Sequence, residues 1–127
     1  MLPPLMKKTI LIVEDEEPLR FLYEEELKED GYEVLTACNG KEALSRLNAG
    51  KPDLIVLDIV MPVMDGMEAL GRIVGKNGKI PIILNTSYPE YRQDFMSWAA
   101  DAYIVKSADL GELKAKIREL LRKPRSC

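Results

Sequence analysis

The 127-residue chain contains no histidine. That removes Ser-His and Cys-His nucleophilic pairs, imidazole proton shuttles and histidine metal sites. It has two cysteines, Cys38 and Cys127, too few for a disulfide scaffold or a four-thiolate zinc site. Their plain reading is one small buried residue and one tail thiol. No apolar run approaches the ~20 residues of a membrane span. Ile10-Leu11-Ile12-Val13 follows Lys7 and Lys8 as a signal peptide would, but it is very short and meets Glu14, Asp15, Glu16 and Glu17 at once. A cytoplasmic protein is the expectation. There is no basic excess either: 18 Lys and Arg face 21 Asp and Glu, for a net charge of -3. Such a chain has no field to hold a phosphate backbone, so direct nucleic-acid binding is not expected.

What is present suits one globular domain: 46% hydrophobic and 31% charged residues, in a length too short for two ordinary domains. Three continuous apolar runs, Thr9 to Val13, Leu54 to Leu57 and Ile80 to Leu84, predict strands covered on both faces. Weaker runs at Tyr32 to Thr36 and Ala102 to Val105 predict shorter or edge strands. Between them lie helical patterns. Pro18 suits a first turn ahead of Leu19, Leu22, Tyr23 and Leu27, and Gly31 suits the stop. Asn39 to Glu42, Asp65 to Glu68 and Asp109 to Glu112 each have capping-box spacing ahead of apolar residues. A further helix over residues 90–99 carries Tyr91, Phe95 and Trp98 on one face. The β-α alternation predicts a doubly wound five-stranded parallel α/β sheet with helices on both faces, of flavodoxin-like order 2-1-3-4-5. The expected domain covers residues 8–122, with tails at 1–7 and 123–127 and no output domain after Leu121.

In such a sheet, ligands bind beyond the carboxyl ends of the strands. Those ends deliver Glu14 and Asp15, Asp58, Asn85 with Thr86 and Ser87, and Lys106. Strands one and three are neighbours in the predicted order, so Glu14, Asp15 and Asp58 converge and repel one another. Either one is protonated or a cation shares the site. Oxygen ligands without His or Cys point to Mg2+. Carboxylates, a divalent metal, Lys106 and Thr86 are the parts of a phosphoryl-transfer site. No Gly-rich phosphate loop occurs, so a nucleotide is not the expected donor. Glu16 and Glu17 read as loop or helix-terminal charge, Asp65-Gly66 as a helix cap, and Met61, Met64 and Met67 as gap-fillers.

Glu14-Asp15, the segment Asp58-Ile59-Val60-Met61-Pro62-Val63-Met64-Asp65-Gly66, Thr86-Ser87-Tyr88 and Tyr103-Ile104-Val105-Lys106 together resemble the CheY-like receiver domain of two-component response regulators. The resemblance spans about Lys8 to Leu121. It implies Asp58 as phosphoacceptor, taking its phosphoryl group from the phosphohistidine of a sensor histidine kinase. It implies Asp15 as a direct Mg2+ ligand beside Asp58 and the backbone carbonyl of Val60, with Glu14 acting through water. Thr86 and Lys106 are implied to contact phosphoryl oxygens, and Tyr103 to be the switch aromatic that follows Thr86.

Three departures stand out. Ser107 follows Lys106 where Pro is usual, which leaves the isomer of that peptide open. Val60 and Tyr88 are bulky at positions thought to govern water access. Glu14 replaces the commoner Asp. The expected function is a single-domain response regulator that switches the surface of its fourth helix, fifth strand and fifth helix for a partner protein, as a monomer or a phosphorylation-dependent homodimer. It is not expected to turn over an external substrate. The alternatives are a phosphorelay intermediate passing the group to a second His protein, and an Asp-nucleophile phosphatase. Val60 disfavours the last, because the acid-base Asp of such enzymes would stand there.

Overall fold

Apolar runs that end in a charged residue build the sheet and set its rim. In the computed structural model, residues 7–58, 80–87 and 100–122 are described. Along the chain come β1 (Thr9–Val13), α1 (Glu17–Glu29), β2 (Glu33–Ala37), α2 (Gly40–Ala49), β3 (Leu54–Leu57), β4 (Ile82–Thr86), β5 (Ala102–Val105) and α3 (Gly111–Arg122). The five strands form one parallel sheet in the order β2-β1-β3-β4-β5. This is the predicted flavodoxin-like topology. The predicted helices beginning at Asp65 and covering 90–99 lie outside the described residues, as do Val60, Tyr88, Met61, Met64 and Met67.

All of β3 and β4 is buried, as continuous apolar strands in a covered parallel sheet must be. One face carries Leu11, Val13, Ile55, Leu57, Leu84 and Tyr103, with Ala43 of α2 packed on it. The other carries Ile10, Ile12, Val56 and Ile83, covered by Tyr23 and Leu27 of α1 and by Leu113 and Ile117 of α3. The α1 and α3 ridges share that face, and Lys114 ties them with ion pairs to Glu26 at 2.8 Å and Asp30 at 3.5 Å.

Local chemistry explains the element ends. Pro18 sits in the first turn of α1, where a missing N–H costs nothing. Gly31, at φ 98°, turns the chain out of α1, and the Tyr32 N–H closes back on the Leu27 carbonyl at 3.2 Å. That bond occupies Tyr32, so β2 begins one residue later than its apolar run. At α2 the Asn39 side chain accepts from the Glu42 N–H at 2.8 Å, while the Glu42 carboxylate accepts from the Cys38 N–H at 2.8 Å. Cys38 itself is a half-buried free thiol, not a core residue. At α3 the Asp109 carboxylate accepts from the Gly111 N–H at 2.8 Å, two residues on rather than three. The fourth apolar run starts at Ile80, but the strand runs from Ile82 to Thr86. Pro81 has no N–H for the ladder, and only its carbonyl is used, by Ile55. Asn85 and Thr86 are therefore strand residues rather than loop residues. No helix among the described residues is long and apolar enough to cross a membrane.

Candidate functional site

The ladder runs one residue past the strand ends. The Glu14 N–H donates to Ala37 at 3.0 Å, Asp58 to Val13 at 3.0 Å, and Lys106 to Thr86 at 2.7 Å. Val13 and Leu57 are register partners, so Glu14 and Asp58 leave neighbouring strands at one level. The parallel register thus gathers the three ends at the carboxyl rim.

Glu14, Asp15 and Asp58 each offer an oxygen within 4.8 Å of the others. Glu14 and Asp58 are buried and Asp15 is half-buried. Lys106 reaches across β4, placing its Nζ 2.8 Å from Glu14 Oε1 and 3.0 Å from Asp58 Oδ2. The second Glu14 oxygen accepts from the Glu16 N–H at 3.2 Å. Burial raises the Glu14 carboxyl above its usual value and outweighs the pull of Lys106. Burial alone would lower the Lys106 ammonium, but its bonds to Glu14 and Asp58 override this and raise it. The sequence reading brings Lys106 to the Asp58 site, but not to Glu14. Three oxygen donors at this spacing, without sulfur or imidazole, suit a hard divalent cation.

Thr86 is fully buried at the end of β4, and its register partner is Val105. Tyr103 is buried opposite Leu84 in the core cluster that also holds Leu57. Strand alternation puts Leu84 and Thr86 on one face with Tyr103, so hydroxyl and ring share a layer. The described residues contain no cis peptide, and Lys106–Ser107 is among them. The expected Val60 carbonyl ligand and the helix over 90–99 lie outside the described residues.

Three residues near the rim have no site role in the sequence reading, which has Tyr23 only on the apolar face of the first helix and Asn85 only as a strand-end residue. Arg20, in the first turns of α1, folds back and donates to the carbonyls of Glu14 at 2.9 Å and Asp15 at 3.4 Å. Tyr23 lies beneath the site, where burial raises its phenol. Asn85 is buried, and among the described residues its Nδ2 finds no hydrogen-bond partner. One signal was readable for Arg20: a cation at the helix end where a cation is unfavourable.

The family model of the response regulator receiver domain matches residues 10–118. The chain is 36% identical over 120 residues to the alkaline phosphatase synthesis transcriptional regulatory protein PhoP of Bacillus subtilis (strain 168), a match covering 93% of this chain and 50% of that protein. It is 41% identical to the probable transcriptional regulator ycf27 of Cyanophora paradoxa, covering 92% of this chain and 49% of that one. It therefore spans about half the length of these curated relatives. Among solved structures, response regulator protein TrrA of Thermotoga maritima in complex with Mg(2+)-BeF superposes with a TM-score of 0.84 at 50% identity, covering 89% of this chain and 98% of that one. TrrA in complex with histidine kinase ThkA matches at 51% identity and a TM-score of 0.83, covering 90% and 98%. The fold, the acidic rim with its lysine and the family match agree: this chain belongs to the CheY-like response regulator receiver domains of two-component systems.

Proposed function

We propose that this receiver accepts a phosphoryl group on Asp58 from the phosphohistidine of a sensor histidine kinase and passes the change to a partner protein. The observation that carries the reading is the buried Asp58 carboxylate, held by Lys106 inside an oxygen-only acidic cluster. The TrrA structures with Mg(2+)-BeF and with a histidine kinase support it.

In the proposed reaction an Asp58 oxygen forms the bond to phosphorus as the phosphorus–nitrogen bond of the phosphohistidine breaks. The imidazole leaves with the electron pair of that bond. Asp15 and Asp58 would hold Mg2+ directly with the Val60 carbonyl, and Glu14 through water. The ion would offset charge on the phosphoryl oxygens. Lys106 trades the Asp58 carboxylate for a phosphoryl oxygen, and Thr86 donates its hydroxyl to another. Tyr103 then follows Thr86, altering the face formed by the predicted fourth helix, β5 and α3.

The proposed protein is a signalling acceptor rather than a turnover enzyme, and it acts in the cytoplasm. A protein partner is supported by the structure of TrrA in complex with histidine kinase ThkA. Acetyl phosphate with Mg2+ should add one base-labile phosphoryl group, which digestion and mass spectrometry should place on Asp58. Full labelling of Asp58→Asn would refute the assignment. Transfer from the labelled protein to a second His protein would favour the relay form over the end-point switch.

A further inference from the structure

We propose that Arg20 is a positioning residue of the cation site, a role that rests on the Mg2+ reading above. Its guanidinium donates to the Glu14 carbonyl at 2.9 Å and the Asp15 carbonyl at 3.4 Å. These are the backbone carbonyls of two acidic residues whose carboxylates join the cluster. One guanidinium nitrogen, Nη1, thus spans two successive carbonyls, restraining the peptide between Glu14 and Asp15 and the backbone that carries the Asp15 carboxylate.

Helix stability does not account for this arginine. It stands near the N-terminus of α1, where the macrodipole disfavours a cation. Its ion pair to Glu17 is long, at 3.9 Å, and the glutamate is largely exposed. Such a pair contributes little. The arginine side chain, by contrast, is only 20% exposed and lies under the loop.

The rest of the loop is fixed independently. The Glu14 N–H is held by β2, and the Glu14 carboxylate binds Lys106 and the Glu16 N–H. The Asp15 carboxylate is the half-buried member of the cluster, reached from the solvent side. Groups that orient metal ligands from behind change metal affinity by about 10–100-fold when removed. Arg20 therefore tightens the site by holding Asp15 in place, although its charge by itself repels a cation.

That opposition of signs makes the test decisive. Mg2+ would be titrated calorimetrically into wild type, Arg20→Met, Arg20→Lys and Asp15→Asn, with circular dichroism as the check on folding. Positioning predicts that Arg20→Met weakens Mg2+ by about tenfold. Arg20→Lys should fall between it and wild type, because an ammonium can still donate to a carbonyl but lacks the length and planarity that hold Nη1 against both. Labelling of Arg20→Met by acetyl phosphate should slow at low Mg2+ and recover as Mg2+ is raised. If Arg20→Met binds Mg2+ as tightly as wild type or more tightly, Arg20 is only a nearby charge and the proposal fails. If Arg20→Met does not fold, Arg20→Gln, which removes the charge and shortens the reach, decides in its place, and wild-type affinity there overturns the role. Wild type and Asp15→Asn binding Mg2+ equally would overturn the cation reading itself, whatever Arg20 does.

Discussion

Lys106 is the side chain on which the rim depends most. It is 12% exposed and bonds two carboxylates that are themselves almost fully enclosed. Deleting one partner of a buried ion pair costs up to ~3–5 kcal/mol, because the remaining charges lose their compensation. Here Asp15 and the open rim admit water, so Lys106→Ala should cost less, about 2 kcal/mol at neutral pH. The cost should depend on pH. Glu14 holds its proton more tightly in the fold than in the unfolded chain, so protonating it favours folding. That contribution is full below the ordinary value of 4.5 and is lost as pH rises through the raised folded value. Without Lys106 the Glu14 carboxyl rises further, and the stability deficit of Lys106→Ala should shrink between pH 7.5 and pH 5. Urea denaturation at the two values measures this. A deficit that is constant or larger at pH 5 would contradict the buried-charge account.

The elements are short and rely on their ends. β3 and β5 have four residues each, so one lost ladder bond or one displaced cap is a large part of an element. Asn39 is the clearest case, because its side chain satisfies the Glu42 N–H and Glu42 in turn satisfies Cys38. Asn39→Ala should destabilise the domain by about 1 kcal/mol, with Asn39→Ser close to wild type, as read from denaturant midpoints at unchanged slope. This cap was legible in the sequence because capping spacing is local. The strand ends Glu14, Asp58 and Lys106 were legible for a similar reason, since each apolar run stops at a charge. What lay beyond reach was set by distance across the sheet. Lys106 meets Glu14 only because β3 and β4 separate β1 from β5 by a span its side chain can cross. Arg20 stands out in the sequence only as a cation near a helix N-terminus, and the carbonyls it folds back on are invisible there. Pro81 moved β4 two residues along from its apolar run, placing Asn85 and Thr86 inside the ladder.

At the scale of the whole molecule, the sheet connects the rim to its covering layers. Thr86 and Tyr103 lie in one layer on adjacent strands, and both are buried. A pull on Thr86 from a phosphoryl oxygen can reach Tyr103 only through a close-packed interior, which shifts between discrete arrangements rather than deforming smoothly. Two states a few kcal/mol apart are enough for such a switch. Adding beryllofluoride and Mg2+ should shift amide resonances at residues 101–108 as well as at Thr86 and Ser87. Tyr103→Leu should still bind the mimic but respond less over residues 101–105. An undiminished response there would mean that coupling bypasses the ring.

The bridge from Lys106 to two carboxylates also sets a valence. With all four groups ionised, three carboxylates and one ammonium leave two negative charges at the rim. A monovalent ion leaves that account unbalanced, and a trivalent ion overshoots it. Only a divalent ion brings the cluster to neutrality, so the lysine narrows the choice of metal without touching it. Converting the Asp58 carboxylate into an acyl phosphate then adds about one further unit of negative charge. Lys106 and the divalent ion are already counted against the three carboxylates. Neutral donors such as the Thr86 hydroxyl are then drawn toward it. The message written at this rim would then be a single surplus charge, answered by a buried hydroxyl that moves.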